Sequence, residues 1–223
     1  MTVKLLFQGL FKFAFGLLLI ILLLFLPAGS FAYWNAWLFI GILFVPMLIV
    51  GIILMIRSPE LLRKRLNAKE EESEQKVVLA LSGAMFLAAF IVAGLSFRFG
   101  WLMLPKWAVI LSAVIFMLGY IMYAEVMREN AYLSRTIEVQ AGQKVVDTGL
   151  YGVIRHPMYS STLILFLSMG GVLGSPISIA ILLLYIPIIA KRIRNEEEIL
   201  EKGLEGYTEY KKKVRYKTIP YIW

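Results

Sequence analysis

The residues of this chain best suited to chemistry fall in two short stretches. The first is Gly149 to Tyr159, GLYGVIRHPMY, which holds the one histidine of the protein, His156. The second is Lys191 to Leu200, KRIRNEEEIL. In the first, Gly149 and Gly152 flank Tyr151, and Arg155, His156 and Pro157 lead straight into a hydrophobic run. Proline suits the first position of a helix because its missing N–H would find no partner there. The helix that follows would present backbone N–H groups and a positive dipole end, which favour a carboxylate or another anion. In the second stretch, Arg192 and Glu196 are spaced i, i+4 and share one helical face beside the last apolar region. An arginine there could hold a substrate carboxylate. A glutamate could hold a ribose hydroxyl or an ammonium group. Arg194 and Glu198 repeat the spacing farther out, where an exposed ion pair contributes under ~1 kcal/mol.

Between the last full apolar span and the histidine lies Met127 to Val146, MRENAYLSRTIEVQAGQKVV, which is half polar. Asn130, Gln140, Gln143 and Lys144 supply hydrogen-bonding groups, and Gly142 and Gly149 let the backbone turn sharply or approach a ligand. Glu125, near the end of a span, is a functional candidate if it lies at depth and an interfacial charge if it lies at the headgroups. The tail GYTEYKKKVRYKTIPYIW is basic and aromatic, a pattern suited to anionic lipid.

Composition says what must carry these groups. The chain of 223 residues is 60% hydrophobic and only 17% charged, which places it among integral membrane proteins. Its net charge of +8 fits basic loops beside anionic lipid and disfavours a nucleic-acid partner. With no cysteine and one histidine, disulfides, a cysteine nucleophile and a thiolate or histidine-rich metal site are excluded, so no metal is expected.

Apolar segments at about 9–28, 33–56, 77–97 and 101–125 each meet the ~20 residues that a spanning helix needs. A longer apolar region, about 158–190, is broken by Gly170, Gly171, Gly174 and Pro176 and reads as two shorter helices joined by a tight turn. Such a turn is tolerated at membrane depth only when protein or water covers its backbone. The first segment reads as a retained span, not a removed signal. Ser58 and Pro59 suggest a short surface helix in the charged connector to Lys76. Arg57, Arg63, Lys64, Arg65, Lys69 and Lys76 fall in one connector, and Arg128, Arg135, Lys144 and Arg155 in another. The intervening connectors are nearly free of such charge. This alternation predicts both termini and the polar stretches on the cytoplasmic side of the cell's inner or plasma membrane. Trp34, Trp37, Trp101 and Trp107 fall near span ends as interfacial anchors.

GLYGVIRHPMY, followed after a glycine-broken hairpin by R-x-x-x-E-E-x-x-L and then by G-Y-x-E-Y-x-x-x-V-R-Y-x-x-I-P, resembles the isoprenylcysteine carboxyl methyltransferase family, one of the membrane phospholipid methyltransferase-like proteins. The likeness covers roughly residues 125 to 223. It implies an all-α integral membrane fold with four full transmembrane helices, a Gly/Pro-broken C-terminal hairpin and a cytoplasmic cofactor pocket. Residues 1–125 would hold the four spans, and 126–223 the catalytic region. It implies S-adenosylmethionine as cofactor, held by Gln140, Gln143, Lys144, Val145, Val146, Tyr151, His156, Pro157, Met158, Tyr159 and Glu196. Arg192 would bind the substrate, and Arg192 and Glu196 would be the catalytic pair. The acceptor would be a lipophilic or lipid-modified molecule arriving from the bilayer, such as an isoprenylcysteine-like carboxylate. A phospholipid or other amine and a small thiol are the alternatives, and a small transporter or assembly factor is the non-enzymatic one.

Overall fold

The structure, a computed structural model, describes residues 3–66, 73–133 and 139–223. Lys69 and Arg135, counted above among the loop charges, lie outside the described residues. The described chain is helical, in the order α1 (Val3–Ala28), α2 (Trp34–Arg57), α3 (Pro59–Leu66), α4 (Ser73–Phe99), α5 (Lys106–Glu129), α6 (Pro157–Val172), α7 (Pro176–Leu182), α8 (Tyr185–Gly203) and α9 (Tyr207–Lys213). A short 3-10 turn covers Gly149–Gly152, and the one pairing of extended backbone among the described residues joins Ile154 to Tyr216 in parallel.

Among the described residues, five segments are long and apolar enough to cross a membrane: Leu5–Ala28, Trp34–Arg57, Lys76–Phe99, Lys106–Glu129 and Pro176–Gly203. At 1.5 Å per residue, a helix of 24 residues reaches ~36 Å, enough for a ~30 Å hydrocarbon core. The protein is therefore an integral membrane protein with the four expected spans and a hairpin after them. The fourth span begins at Lys106, not near Trp101. Pro105 takes an extended conformation (φ −65°, ψ 154°) and holds the residue before it out of the helical region. The expected surface helix is present as α3, entered through Ser58.

The hairpin turn between α6 and α7 shows how irregular backbone is covered. Gly174 sits at φ +75°, a conformation glycine adopts without strain. The Tyr33 hydroxyl donates to the Leu173 carbonyl at 2.6 Å, and Asn35 Nδ2 donates to the Val172 carbonyl at 3.2 Å. The Leu104 N–H reaches the Gly174 carbonyl at 2.9 Å, and Ser96 and Ser175 share a hydroxyl contact of 3.0 Å. The connectors after α1 and after α4 thus meet the turn at one end of the bundle. Protein groups, not lipid, satisfy its carbonyls.

A core of Phe39, Phe90, Phe116, Met169 and Leu173 joins α2, α4, α5 and α6. Close approach is bought by small residues. A Cβ on Gly119 would stand 3.0 Å from Ile164 and Leu165, so α5 and α6 pack backbone-close, as small residues allow inside membranes. This packing sets the end of α5 beside the start of α6, at the end of the bundle opposite the hairpin turn.

Candidate functional site

At that opposite end, the residues just after α5, the loop at Gln143 to Val146, the 3-10 turn, the start of α6, α8 and α9 line a cavity of about 100 Å3 that opens to solvent. The turn is anchored first. Glu129, the last residue of α5, accepts the Leu150 N–H at 3.1 Å. Gly149 lies over that carboxylate at φ +51°, where a Cβ would collide with Glu129. Tyr151 is buried behind the turn. Its hydroxyl accepts from Asn130 Nδ2 at 2.9 Å, and its carbonyl accepts the Tyr210 hydroxyl at 2.7 Å.

His156 then caps α6, with Pro157 at the first helical position. The Tyr159 and Ser160 N–H groups both turn back to the His156 carbonyl, at 3.0 and 3.2 Å. The Ser160 bond is the ordinary first bond of the helix, so the Tyr159 N–H is turned inward at this start and Pro157 has none to offer.

Tyr159, one turn into α6, faces α8. Its hydroxyl donates to Glu196 Oε2 and accepts from Arg192 Nε at 3.1 Å. The i, i+4 pair read from the sequence is thus joined through a phenol from another helix, all three lining the cavity. Arg192, His156 and Tyr159 are all buried, so these groups are held in a low-dielectric wall and not in free solution.

Beneath the cavity lies a second cluster. Glu197 Oε1 accepts from Arg155 Nε at 2.8 Å and lies 3.2 Å from His156 Nε2. Its Oε2 lies 3.1 Å from Lys217 Nζ. Arg155 Nη1 also donates to the Val214 and Arg215 carbonyls, both at 2.7 Å. Backbone bonds from Arg155 N–H to the Tyr216 carbonyl (2.9 Å) and from His156 N–H to the Lys217 carbonyl (2.8 Å) fix the tail alongside. The Ser160 hydroxyl adds a bond to the Thr218 carbonyl at 2.6 Å. The tail, expected as a lipid anchor, is thereby built into the site's floor.

Of the residues expected to hold a cofactor, Gln143, Lys144, Val145, Val146, Tyr151, His156, Met158, Tyr159 and Glu196 line the cavity, as does Arg192. Gln140 and Pro157 do not. Gln140 braces the loop: its side chain donates to the Tyr132 carbonyl at 2.6 Å, and its N–H donates to Gln143 Oε1 at 2.9 Å. Glu125 is paired with Arg128 one turn on, at 2.8 Å, on an exposed face.

Sequence reasoning gave no site role to Tyr132, Leu133, Leu200, Leu204, Tyr207 and Tyr210, named Asn130 only as a hydrogen-bonding group of the loop, and met Glu197 only as part of the motif. Glu197 was legible in principle. Ile189, Ile193 and Glu197 follow at steps of four and all are buried, so the carboxylate lies on the inward row of α8. The tyrosines of α9 pack with Leu204 and Val214 against Val145 and Leu200. Burial pushes the Tyr207 and Tyr210 phenols above the usual tyrosine range, Glu197 adding to the effect at Tyr207. Asp147, at the surface, accepts from Lys213 Nζ at 2.8 Å, and that hydrogen bond holds its carboxyl below the usual carboxylate range.

Residues 108–202, from the start of α5 to the end of α8, match the model of the isoprenylcysteine carboxyl methyltransferase (ICMT) family. The matched segment is under half of the chain, and over it the chain is similar to the ICMT family. The solved structure of a eukaryotic intramembrane Ras methyltransferase ICMT superposes with a TM-score of 0.57 at 18% identity, covering 92% of this chain and 74% of that one. That likeness shows a shared membrane fold. A Mus musculus delta(14)-sterol reductase is 30% identical over 95 residues, which is 40% of this chain and 22% of the reductase. The chain thus spans under a quarter of that relative's length.

Proposed function

We propose that the chain is a membrane methyltransferase that uses S-adenosylmethionine and acts on a lipophilic acceptor, foremost the carboxylate of an isoprenylcysteine-like molecule. The reading is carried by one observation: Arg192, Tyr159 and Glu196 form a connected polar row on the wall of the cavity that also holds His156 and Gln143 to Val146.

Its lining suits the cofactor in kind. Val145, Val146, Leu200 and Leu204 offer an apolar wall for an adenine ring, and Glu196 offers an acceptor for a ribose hydroxyl or an ammonium group. The bound cofactor supplies an electrophilic methyl group on a sulfonium. Arg192 would hold the acceptor carboxylate with its guanidinium fork. Tyr159 would keep Arg192 and Glu196 in fixed relation, so that the acceptor is presented in one orientation. A carboxylate acceptor carries no proton to be removed, so positioning and exclusion of water are the work required of this wall. An amine acceptor would instead need a base, and Glu196 is the carboxylate on the wall. The basic connectors at the site's end of the bundle support placing it on the cytoplasmic side, with the acceptor entering from the bilayer.

The match to a sterol reductase supports a second reading, in which the chain serves a reductase. Calorimetry on the purified chain in detergent separates the two. Methyltransferase function predicts saturable binding of S-adenosylhomocysteine, lost in His156→Ala and Glu196→Ala variants that remain folded. It also predicts transfer of a labelled methyl group to a lipid or isoprenylcysteine acceptor. Binding of NADPH with no binding of the homocysteine nucleoside would reject the proposal in favour of the reductase.

A further inference from the structure

Three buried side-chain oxygens have no hydrogen-bond partner among the described residues: Ser178 Oγ, Tyr207 OH and Thr218 Oγ1. Of the three, Tyr207 alone belongs to the cavity lining. Its residue is 4% exposed, packed beside Tyr210 with ring centroids 5.8 Å apart. The contrast with that neighbour is informative. The Tyr210 hydroxyl is spent on the Tyr151 carbonyl, and the Tyr159 hydroxyl on Arg192 and Glu196. A buried hydroxyl without a partner is costly and calls for an explanation, and one on a cavity lining can be completed by a ligand where the other two cannot. Tyr207 also lies beyond the segment matched by the ICMT family, which ends at residue 202.

We infer that the Tyr207 hydroxyl is a binding group of the cavity, which takes a neutral polar atom of a nucleoside, a ribose hydroxyl or an adenine ring nitrogen. The inference rests on the reading that the cavity binds S-adenosylmethionine. Neutrality of the ligand atom follows from the surroundings. Glu196 and Glu197 on one side and Arg155 on the other act electrostatically on the phenol, so the carboxylates and the guanidinium oppose each other there and no net charge on the ligand is called for. The phenol keeps its proton, so it can donate one hydrogen bond and accept another. The apolar neighbours Leu204, Val145 and Leu200 would pack on the purine face while the hydroxyl reads its edge.

The test compares wild-type chain, Tyr207→Phe and Tyr210→Phe in detergent, each by tryptophan-fluorescence melting and by calorimetry. The probes are S-adenosylhomocysteine and methylthioadenosine. Without ligand, Tyr207→Phe should melt at or slightly above the wild-type temperature, because an unpaired oxygen is removed with the ring's shape kept. Tyr210→Phe should melt lower. With ligand, Tyr207→Phe should bind both probes about five- to tenfold more weakly, the loss of one hydrogen bond. Equal affinity of wild type and Tyr207→Phe overturns the inference and leaves the proposed function standing. A lowered melting point of unliganded Tyr207→Phe with unchanged affinity overturns it too, by giving the hydroxyl a structural partner. Loss of affinity for S-adenosylhomocysteine alone overturns the assignment to the nucleoside. No binding of either probe by wild type overturns both the inference and the proposed function.

Discussion

Replacing Glu197 by leucine should release the C-terminal tail and cost the protein a large share of its stability. The Glu197 carboxylate is nearly enclosed, with its side chain 5% exposed, and it faces the Arg155 guanidinium, which is 4% exposed. Removing one member of a buried ion pair leaves the other charge without compensation, at about 3–5 kcal/mol. Arg155 would keep two acceptors, the Val214 and Arg215 carbonyls, so the low end of that range is expected here, about 3 kcal/mol. For a chain of this size each kcal/mol moves the melting midpoint by roughly 2–4 °C, so a fall of about 6–12 °C should be seen by tryptophan fluorescence in detergent. Trypsin should at the same time cut faster at Lys213, Arg215 and Lys217, since the tail's clamp is gone. The double variant Arg155→Met, Glu197→Leu should recover only part of the loss, because the uncompensated guanidinium is gone but the Val214 and Arg215 carbonyls lose their donor. If Glu197→Leu melted within a degree of wild type and the tail stayed protected, the argument that this cluster holds the site's floor would be refuted.

Three other outcomes follow from the same structure. Tyr33→Phe removes the donor to the Leu173 carbonyl at the hairpin turn and should cost about 1–3 kcal/mol, read as a lower detergent melting point. Gly94→Ala would bring a Cβ within 2.6 Å of the Leu24 carbonyl oxygen, so α1 and α4 must separate; about 1–3 kcal/mol of destabilisation is expected, against little change for Gly83→Ala, where the space is open. The Asp147 carboxyl titrates below its usual range because of Lys213, so its contribution is complete above the unfolded carboxylate pKa of ~3.9 and is lost as pH falls through the lower folded value. The small difference in melting point between wild type and Asp147→Asn should therefore stay constant from pH 8 to 5 and close in stronger acid.

Much of the bundle was legible because its determinants are local. Twenty-odd apolar residues in a row, glycines and proline at 170 to 176, and Ser58 before Pro59 each act within one or two helical turns. The start of α5 was misjudged by a few residues because apolar content continues from Trp101 through a stretch that Pro105 makes extended. The pairing of Arg192 with Glu196 on one face followed from helical periodicity, and both line the cavity. That Tyr159 bridges them did not follow, since it depends on how α6 is set against α8.

By itself, the sequence determined that this chain enters a membrane, where its spans run, and which few polar residues sit at their ends, because hydropathy and helical period are properties of neighbours along the chain. Only the tertiary structure decided which of three consecutive glutamates serves the cavity wall and which the floor. A helix turns ~100° per residue, so Glu196 meets Tyr159 while Glu197 meets Arg155 and Lys217. The same holds for the tail. Its basic and aromatic residues suit a lipid surface equally well in isolation, and the backbone bonds to Arg155 and His156, far away in sequence, are what fold it under the site.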